Sequence, residues 1–380
     1  MLTRSLILSL ITCLALTACG DKEDTSTPAE ADADTDADTD ADTDADTDAD
    51  TDADTDADTA PVTLLPDDAS LRYTGRIPVT KAGAALLWPG SSVAFLTDAP
   101  AIEAHVSDVT GGNYLAVIID DQEPVVIGGV KGSSTITLAE GLSGETHRVE
   151  VFKRTEAWEE AVVIEGLTLP QGGTISPVEP PTLRMTFYGD SITSGYSVDC
   201  TCDDDDPVYK NHYETYAAVT ARTLGAAHHS ISLSGVGLTR SWWDGNMLDY
   251  WDGMTLGDGA WDFADWPADI VVINLGQNDY WLGAGAELQG AYVGFAERIR
   301  AAHSDAVIFL VLGSMDATAA GSPLPDYLDA AVGILNARGD DLIFGHVFPY
   351  VPGGHPVASV QADMASQLVT AIQDVMPELR

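Results

Sequence analysis

Positive charge is scarce in this sequence. Its 17 lysine and arginine residues stand against 60 aspartate and glutamate residues, which gives a net charge of −43. Nucleic-acid phosphates and anionic lipid headgroups need cationic partners, so we expect no nucleic-acid partner. Residues 61–380 alone still carry a net charge of −27 and contain no basic run, which disfavours anionic substrates.

Cysteine is rare as well, with four residues in the chain. Cys200 and Cys202 lie in a Cys-Thr-Cys-Asp-Asp-Asp-Asp segment that lacks the four-ligand spacing of a zinc site, so we expect no metal there. We also expect no cofactor. In an oxidising compartment a local disulfide is feasible, although it is geometrically tight. We therefore predict a surface loop with a Cys200–Cys202 disulfide.

The chain also lacks an apolar run of the roughly 20 residues that a membrane-spanning helix needs. A shorter run from Leu6 to Leu16 follows Arg4, a pattern typical of an export signal. Its end, Leu16-Thr17-Ala18-Cys19, resembles the lipobox of bacterial lipoproteins, whose cysteine is acylated. We expect a signal peptide over 1–18 and lipidation of Cys19, with an ordinary cleaved signal as the alternative.

Gly20 follows the cysteine, where an aspartate would be an inner-membrane retention signal by resemblance to lipoproteins. We therefore expect an exported protein, lipid-anchored at the outer membrane or cell surface. Residues 19–62 contain no aromatic residue, and aspartate occupies every even position from 32 to 58. Such a segment cannot form a core and its like charges repel, so we predict a disordered acidic tether over 19–62.

Residues 63–170 show short β-rich stretches at roughly ten-residue spacing, a pattern that predicts a β-sandwich or jelly-roll domain. The predicted strands are 92–96, 101–106, 114–119, 134–138, 147–152 and 161–167. Residues 171–181, rich in glycine and proline, are expected to form a linker.

From residue 182 to 380 the pattern changes to alternating strands and helices, which predicts a parallel sheet covered by helices on both faces. The predicted strands are 183–188, 230–233, 270–275, 307–312 and 342–347, and the predicted helices include 212–224, 291–303 and 326–337. In such sheets ligands bind at the carboxyl ends of the strands.

Four motifs follow these strands or precede the last helix. They are Gly189-Asp190-Ser191, Ser234-Gly235-Val236-Gly237, Gly276-Gln277-Asn278-Asp279 and Gly353-Gly354-His355-Pro356. A serine at a strand-to-helix turn is exposed to substrate, and its hydroxyl needs an adjacent base to act as a nucleophile.

In this order the motifs resemble those of the SGNH (GDSL-type) hydrolases. The resemblance implies a three-layer, flavodoxin-like α/β domain in which Ser191 attacks an ester and His355 serves as base. It also implies an oxyanion hole formed by the Ser191 and Gly235 amides and the Asn278 side chain. Asp190 and Asp279 are expected mainly to brace their loops.

The amino-terminal half adds a finer resemblance, carried by Tyr73-Thr74-Gly75-Arg76 and Trp88-Pro89-Gly90-Ser91-Ser92, with Thr220 to Gly225 in the second domain. It is similar to the family 2 carbohydrate esterases, a jelly roll joined to an SGNH domain. That family removes acetyl groups from xylan and related polysaccharides, so the resemblance implies a serine esterase acting on acetylated polysaccharide.

The sequence departs from the usual Asp-x-x-His pattern, because Pro352 stands three residues before His355. Some family 2 members use a Ser-His dyad with a backbone carbonyl orienting the histidine. We therefore expect a carbonyl to accept the second ring N–H of His355, and an acid from elsewhere in the chain stays open. His346 is the alternative base, and the other six histidines are expected to be structural.

Six of the eight tryptophans lie between residues 242 and 281. Sugar rings stack on aromatic faces, so Trp281, Trp242 and Trp243 are candidate substrate contacts, with core packing as the alternative. Two other functions stay open: a carbohydrate-binding lipoprotein with an inactive site, and an esterase for another O-acyl ester, in peptidoglycan or lipid. We expect a monomer.

Overall fold

The computed structural model describes residues 60–379. The expected signal peptide, Cys19 and nearly all of the acidic tether lie outside these residues. Within them, no helix is long and apolar enough to cross a membrane.

The first part of the described chain consists of short strands. They are β1 (Val62–Leu64), β2 (Arg72–Thr74), β3 (Val79–Thr80), β4 (Gly83–Leu86), β5 (Ser92–Thr97), β6 (Ala101–Asp108), β7 (Tyr114–Ile119), β8 (Val125–Gly128), β9 (Gly132–Glu140), β10 (His147–Lys153), β11 (Val162–Leu169) and β12 (Ile175–Ser176). All six predicted strands are present, with ends within two residues of the predicted ones.

These strands form two antiparallel sheets, ordered β3-β4-β11-β6-β9 and β12-β5-β10-β7-β8, with β1 added beside β11 and β2 beside β5. Alternating apolar residues of β5 and β10 in one sheet and of β6 and β11 in the other share a single buried cluster. The predicted β-sandwich is therefore confirmed. The linker prediction is partly wrong, because β12 lies within 171–181 and pairs with β5.

The second part builds a parallel five-stranded sheet. Its elements are β13 (Arg184–Gly189), α1 (Ser191–Ser194), α2 (Tyr216–Thr223), β14 (Ala227–Ser232), β15 (Ile270–Asn274), α3 (Gln277–Trp281), α4 (Glu287–Ala302), β16 (Val307–Leu312), α5 (Leu324–Ala337), β17 (Ile343–Val347) and α6 (Ala358–Val375).

The strand order β14-β13-β15-β16-β17 is that of flavodoxin-like folds. The three central strands and the edge strand β14 are buried along nearly their whole length, because helices cover both faces. Helices α4 and α5 pack on one face, and α2 and α6 pack on the other. The predicted three-layer architecture is confirmed, and its strand order reverses between β13 and β15, where a ligand site is expected.

Candidate active site

Ser191 lies where β13 ends and the short helix α1 begins. Asp190 precedes it in extended backbone and accepts the Ile192 N–H at 3.0 Å, which starts the helix. A Cβ on Gly189 would lie 2.0 Å from Thr193 Oγ1, so only glycine lets the turn close this tightly. The turn therefore presents Ser191 at the carboxyl edge of the sheet.

His355 reaches Ser191 from the segment between β17 and α6. Its Nε2 lies 2.8 Å from Ser191 Oγ, a hydrogen-bond distance. The ring packs against Tyr196 with a centroid separation of 4.3 Å, which limits its rotation. The structure thus brings the predicted nucleophile and base into contact, whereas the ring of His346 packs on Phe348.

The second ring nitrogen of His355 faces a carboxylate, whereas the sequence led us to expect a backbone carbonyl there. Its Nδ1 lies 2.5 Å from Oδ1 of Asp203, and the same oxygen also accepts the His355 backbone N–H at 3.2 Å. The hydrogen bond from His355 lowers the pKa of Asp203, so this carboxylate is charged at neutral pH. The dyad prediction is wrong for this chain, and Ser191, His355 and Asp203 form a triad.

Asp203 takes the place of the acid that is absent at Pro352, because the loop that carries Asp203 contacts the turn that carries His355. A Cβ on Gly354, whose φ is +95°, would lie 2.8 Å from Asp203 Cγ, so this glycine admits the carboxylate. Cys200 and Cys202 are joined by a disulfide directly before Asp203, as the sequence predicted. Four consecutive aspartates signalled an acidic loop, but nothing in the sequence identified which residue meets His355.

The fixed tautomer follows from the two contacts of the imidazole. An ionised carboxylate only accepts hydrogen bonds, so His355 Nδ1 carries the proton donated to Asp203. Nε2 is then the acceptor for the Ser191 hydroxyl. This is the arrangement in which a serine can lose its proton to a histidine.

The predicted oxyanion residues lie beside Ser191. Asn278, in α3, donates from Nδ2 to Val236 O at 2.8 Å, and its Oδ1 accepts the Trp242 Nε1–H at 3.0 Å. These bonds fix the amide orientation and leave one Nδ2–H for substrate. Among the described residues, the Ser191 and Gly235 amides have no protein acceptor.

Asp279 and Asp190 brace loops, as predicted. Asp279 is fully buried and accepts the backbone N–H groups of Leu238, Thr239 and Arg240 at 2.7–2.9 Å. Burial raises the pKa of Asp190 to about 7, although the Ile192 hydrogen bond opposes the shift. Neither carboxylate contacts the cleft, so neither takes part in proton transfer.

A cleft of about 310 Å³ joins these groups. It is lined by Trp158, Ser191, Tyr196, Asp205, Ser234, Gly235, Trp242, Asn278, Trp281 and His355. Trp242 and Trp281 are 61% and 40% exposed, so their ring faces are available to a ligand. Trp243, the third candidate, is not among the lining residues; its ring lies perpendicular to that of Trp158 and close to Gly235.

Sequence reasoning missed Trp158 and Tyr196. Trp158 comes from the β-sandwich, in a 3₁₀ turn between β10 and β11, and is 43% exposed. Burial raises the pKa of Tyr196 to about 12, so its phenol stays protonated. In the sequence, Trp158 stands between two predicted strands, which could have marked it as an exposed aromatic residue. That it reaches the cleft follows only from the packing of the two domains.

Most other histidines are structural, as predicted. His212, His228, His229 and His303 are buried, and burial lowers the pKa of each. His105 and His147 bond to side chains of the β-sandwich. Within the described residues, no group of three His, Cys, Asp or Glu side chains could hold a metal ion.

Comparisons with known proteins divide the chain in the same way. Residues 73–180 match the Carbohydrate esterase 2 N-terminal family, and residues 187–370 match the GDSL-like Lipase/Acylhydrolase family. A cellulase/esterase, CelE, of Acetivibrio thermocellus is 29% identical over 81% of this chain, which spans 40% of that relative's length.

An acetylxylan esterase/glucomannan deacetylase of Cellvibrio japonicus is 26% identical over 83% of this chain and 91% of its own. The solved structure of a family two carbohydrate esterase from Clostridium thermocellum, in complex with cellohexaose, has a TM-score of 0.77. It is 28% identical and covers 81% of this chain and 99% of its own.

Proposed function

Because the chain is an SGNH hydrolase of the GDSL type that resembles the family 2 carbohydrate esterases, we propose that it removes acetyl groups from polysaccharide. The observation that carries the proposal is the aligned triad, with 2.8 Å from Ser191 to His355 and 2.5 Å from His355 to Asp203. Ser191 and His355 line a cleft whose other lining residues include exposed tryptophans.

The first half-reaction forms an acyl-enzyme. Ser191 Oγ attacks the acetyl carbonyl carbon while His355 Nε2 takes the hydroxyl proton, and Asp203 stabilises the imidazolium. The Ser191 and Gly235 amides and Asn278 Nδ2 bind the oxyanion of the tetrahedral intermediate. The intermediate collapses as the sugar oxygen leaves with the proton from His355.

The second half-reaction hydrolyses the acetyl-serine. His355 takes a proton from water, whose oxygen attacks the acetyl carbonyl, and the intermediate expels Ser191 as the proton returns to its oxygen. Acetate is released and the enzyme is restored. Every proton passes through His355, so no metal or cofactor is required by this sequence of steps.

Xylan or a related hemicellulose is the proposed substrate class. The Cellvibrio japonicus relative is named an acetylxylan esterase/glucomannan deacetylase, and the exposed faces of Trp242 and Trp281 suit sugar rings. An intact triad speaks against a purely carbohydrate-binding role.

The assay compares acetylated xylan, p-nitrophenyl acetate and a longer-chain p-nitrophenyl ester, with Ser191→Ala as the control. We expect acetate release from xylan, and turnover of the short ester above that of the long one. Preference for long acyl chains would favour a lipid ester instead. Absence of any turnover would contradict the esterase proposal.

Anchoring through Cys19 is part of the proposal and rests on the sequence alone. Labelling with radioactive palmitate should mark the wild-type protein and Cys13→Ser, because Cys13 belongs to the expected signal. Cys19→Ser should carry no label and should appear as soluble or unprocessed protein. An unlabelled wild type would contradict the anchor. Size-exclusion chromatography tests the proposed monomer.

A further inference from the structure

One segment of the β-sandwich binds the residue that precedes the oxyanion glycine. Glu156 Oε2 accepts the Ser234 N–H at 2.9 Å, and Trp158 Nε1–H donates to the Ser234 carbonyl at 3.1 Å. Both backbone polar groups of Ser234 are therefore held by side chains two residues apart in another domain.

Because peptide groups are planar, these contacts also fix the orientation of the Gly235 N–H. The carbonyl of Ser234 and the N–H of Gly235 belong to one planar trans peptide and point in opposite directions. When Trp158 fixes the carbonyl, it also fixes the direction of the Gly235 N–H. Glu156 binds the N–H of the peptide that precedes Ser234. Both peptide planes that flank the Ser234 Cα are therefore held in place.

The loop needs such support because Gly235 is conformationally permissive. Its φ is +84°, in the left-handed region that glycine enters readily but does not enforce. The Trp243 ring covers Gly235 and meets Trp158 edge to face, with centroids 4.8 Å apart. The two tryptophans thus pack together beside this peptide.

Glu156 is itself held in place. Lys153 Nζ donates to Glu156 O at 2.8 Å, and Lys210 Nζ forms an ion pair with Glu156 Oε1 at 2.7 Å. Lys210 also pairs with Glu159 and, at 2.8 Å, with Asp205 of the acidic loop. Burial opposes the charge on Lys210, but these carboxylates outweigh it and raise its pKa.

We propose that Glu156 and Trp158 are positioning residues for the acyl-transfer reaction, supplied by the β-sandwich to aim the Gly235 N–H into the cleft. Through Lys210, Glu156 also connects the oxyanion loop to the loop that carries Asp203. The proposal rests on the proposed function, because the aim of this N–H matters only when an oxyanion forms beside Ser191.

Two conservative variants separate positioning from mere stability. Glu156→Gln keeps an oxygen that can accept the Ser234 N–H but loses the charge facing Lys210. Glu156→Asp keeps the charge but withdraws the carboxylate by one methylene from Ser234. A positioning role predicts higher kcat for Gln than for Asp, while charge balance predicts a higher melting temperature for Asp than for Gln.

The measurement is p-nitrophenyl acetate turnover by the full chain, per active site titrated with a fluorophosphonate probe that reacts at Ser191. We expect kcat to fall about 10-fold in Glu156→Asp, less than the 10²–10³ lost when an oxyanion donor is deleted. KM should stay within about 2-fold, because the ground-state carbonyl binds this N–H less strongly than the oxyanion does.

Trp158→Phe is a second probe that leaves the Lys210 ion pairs intact. Phenylalanine keeps an aromatic edge near Trp243 but cannot donate to Ser234, so kcat should fall. The matched control is Glu165→Gln, since Glu165 is an exposed glutamate of β11 in the same domain. This control should match the wild type in both kcat and melting temperature.

Equal kcat per titrated site in the Glu156 variants and wild type would overturn the proposal. The labelling rate with fluorophosphonate separates this failure from that of the proposed function, because phosphonylation also builds negative charge beside Ser191. If the wild type is labelled but hydrolyses no acetyl ester, the proposed function is wrong. Even then, a positioning role predicts faster labelling of Glu156→Gln than of Glu156→Asp, so the labelling rates still test it.

Discussion

At the scale of single residues, the proposed catalysis depends on three side chains from three separate segments of the chain. Ser191 follows β13, Asp203 lies in the disulfide-bonded acidic loop, and His355 precedes α6. His355 contacts both partners at hydrogen-bond distance, so its tautomer and orientation are already set before substrate binds.

Removing a reacting group should abolish turnover. We expect Ser191→Ala and His355→Ala each to lower kcat by at least about 10³-fold, and Asn278→Ala by about 10²–10³-fold. Steady-state kinetics with p-nitrophenyl acetate checks this, with circular dichroism to verify folding. Retained activity in a folded Ser191→Ala would contradict the assignment of the nucleophile.

Asp203→Asn tests the acid that replaces the usual one. An amide cannot stabilise the imidazolium, so we expect kcat to fall by about 10²–10⁴-fold with little change in KM. Asp204→Asn is the control, since the neighbouring Asp204 side chain bonds only within its own loop. Equal kinetics of the two variants would remove Asp203 from the mechanism.

Ser191, Gly235, Asn278 and His355 were predictable because each lies in a short motif at the end of a strand or before a helix. Asp203 was not, because it is 152 positions from His355 and its identity depends on how two loops close. Trp158 was missed for the same reason, since its cleft contact arises only from the packing of two domains.

At the scale of elements, long apolar strands were predictable and short edge strands were not. Strand β16, Val307–Leu312, is buried throughout and was predicted to the residue. Strands β3 and β12 have two residues each, too few for an alternation pattern, and are defined by their pairing with β4 and β5. This is why β12 was assigned to a linker.

The loop after β14 offers a test of local geometry. Gly235 has a positive φ, and an added Cβ would lie 2.4 Å from Trp243 Cζ3. Gly235→Ala should therefore distort the oxyanion loop and lower kcat strongly. Gly172→Ala is the matched control, because Gly172 also has a positive φ, +82°, but open space around it.

Both glycine variants should lose about 1–2 kcal/mol of stability from the unfavourable backbone region. Only Gly235→Ala should also lose activity, as measured by kcat alongside urea unfolding. Equal activity in the two variants would show that the position of the Gly235 N–H is not needed for turnover.

At the scale of the whole molecule, the two domains share buried polar contacts. Lys210 of the hydrolase domain pairs with Glu156 and Glu159 of the β-sandwich, and Arg76 of the sandwich donates to Trp251 O and Gly253 O at 2.8 Å. A buried charge without its partner is strongly destabilising, so neither domain is expected to behave as an independent module.

Buried histidines should make the whole fold sensitive to mild acid. Burial lowers the pKa of His212 to about 3 and of His303 to about 4, and holds the pKa of His228 and His229 well below 6.5. In the unfolded chain each binds a proton below about pH 6.5. Stability from these groups is therefore full above pH 6.5 and declines as pH falls.

Two carboxyl groups act in the opposite direction. Burial raises the pKa of Asp190 to about 7 and also raises that of Glu159. As pH falls, these two groups are protonated in the folded state before they are protonated in the unfolded chain, which stabilises the folded state. Four buried histidines oppose these two carboxyl groups, so we expect the free energy of unfolding to fall between pH 7 and pH 5.

Urea unfolding followed by circular dichroism at pH 5, 6 and 7 measures this change, in a range where most other carboxylates stay ionised in both states. Replacing His228, whose Nε2 lies 3.1 Å from His212 Nε2, by glutamine removes one of the four titrating groups. His228→Gln should therefore show a shallower pH dependence than the wild type, whatever its absolute stability. A wild-type stability that is constant or rises toward pH 5 would show that these imidazoles accept protons inside the fold.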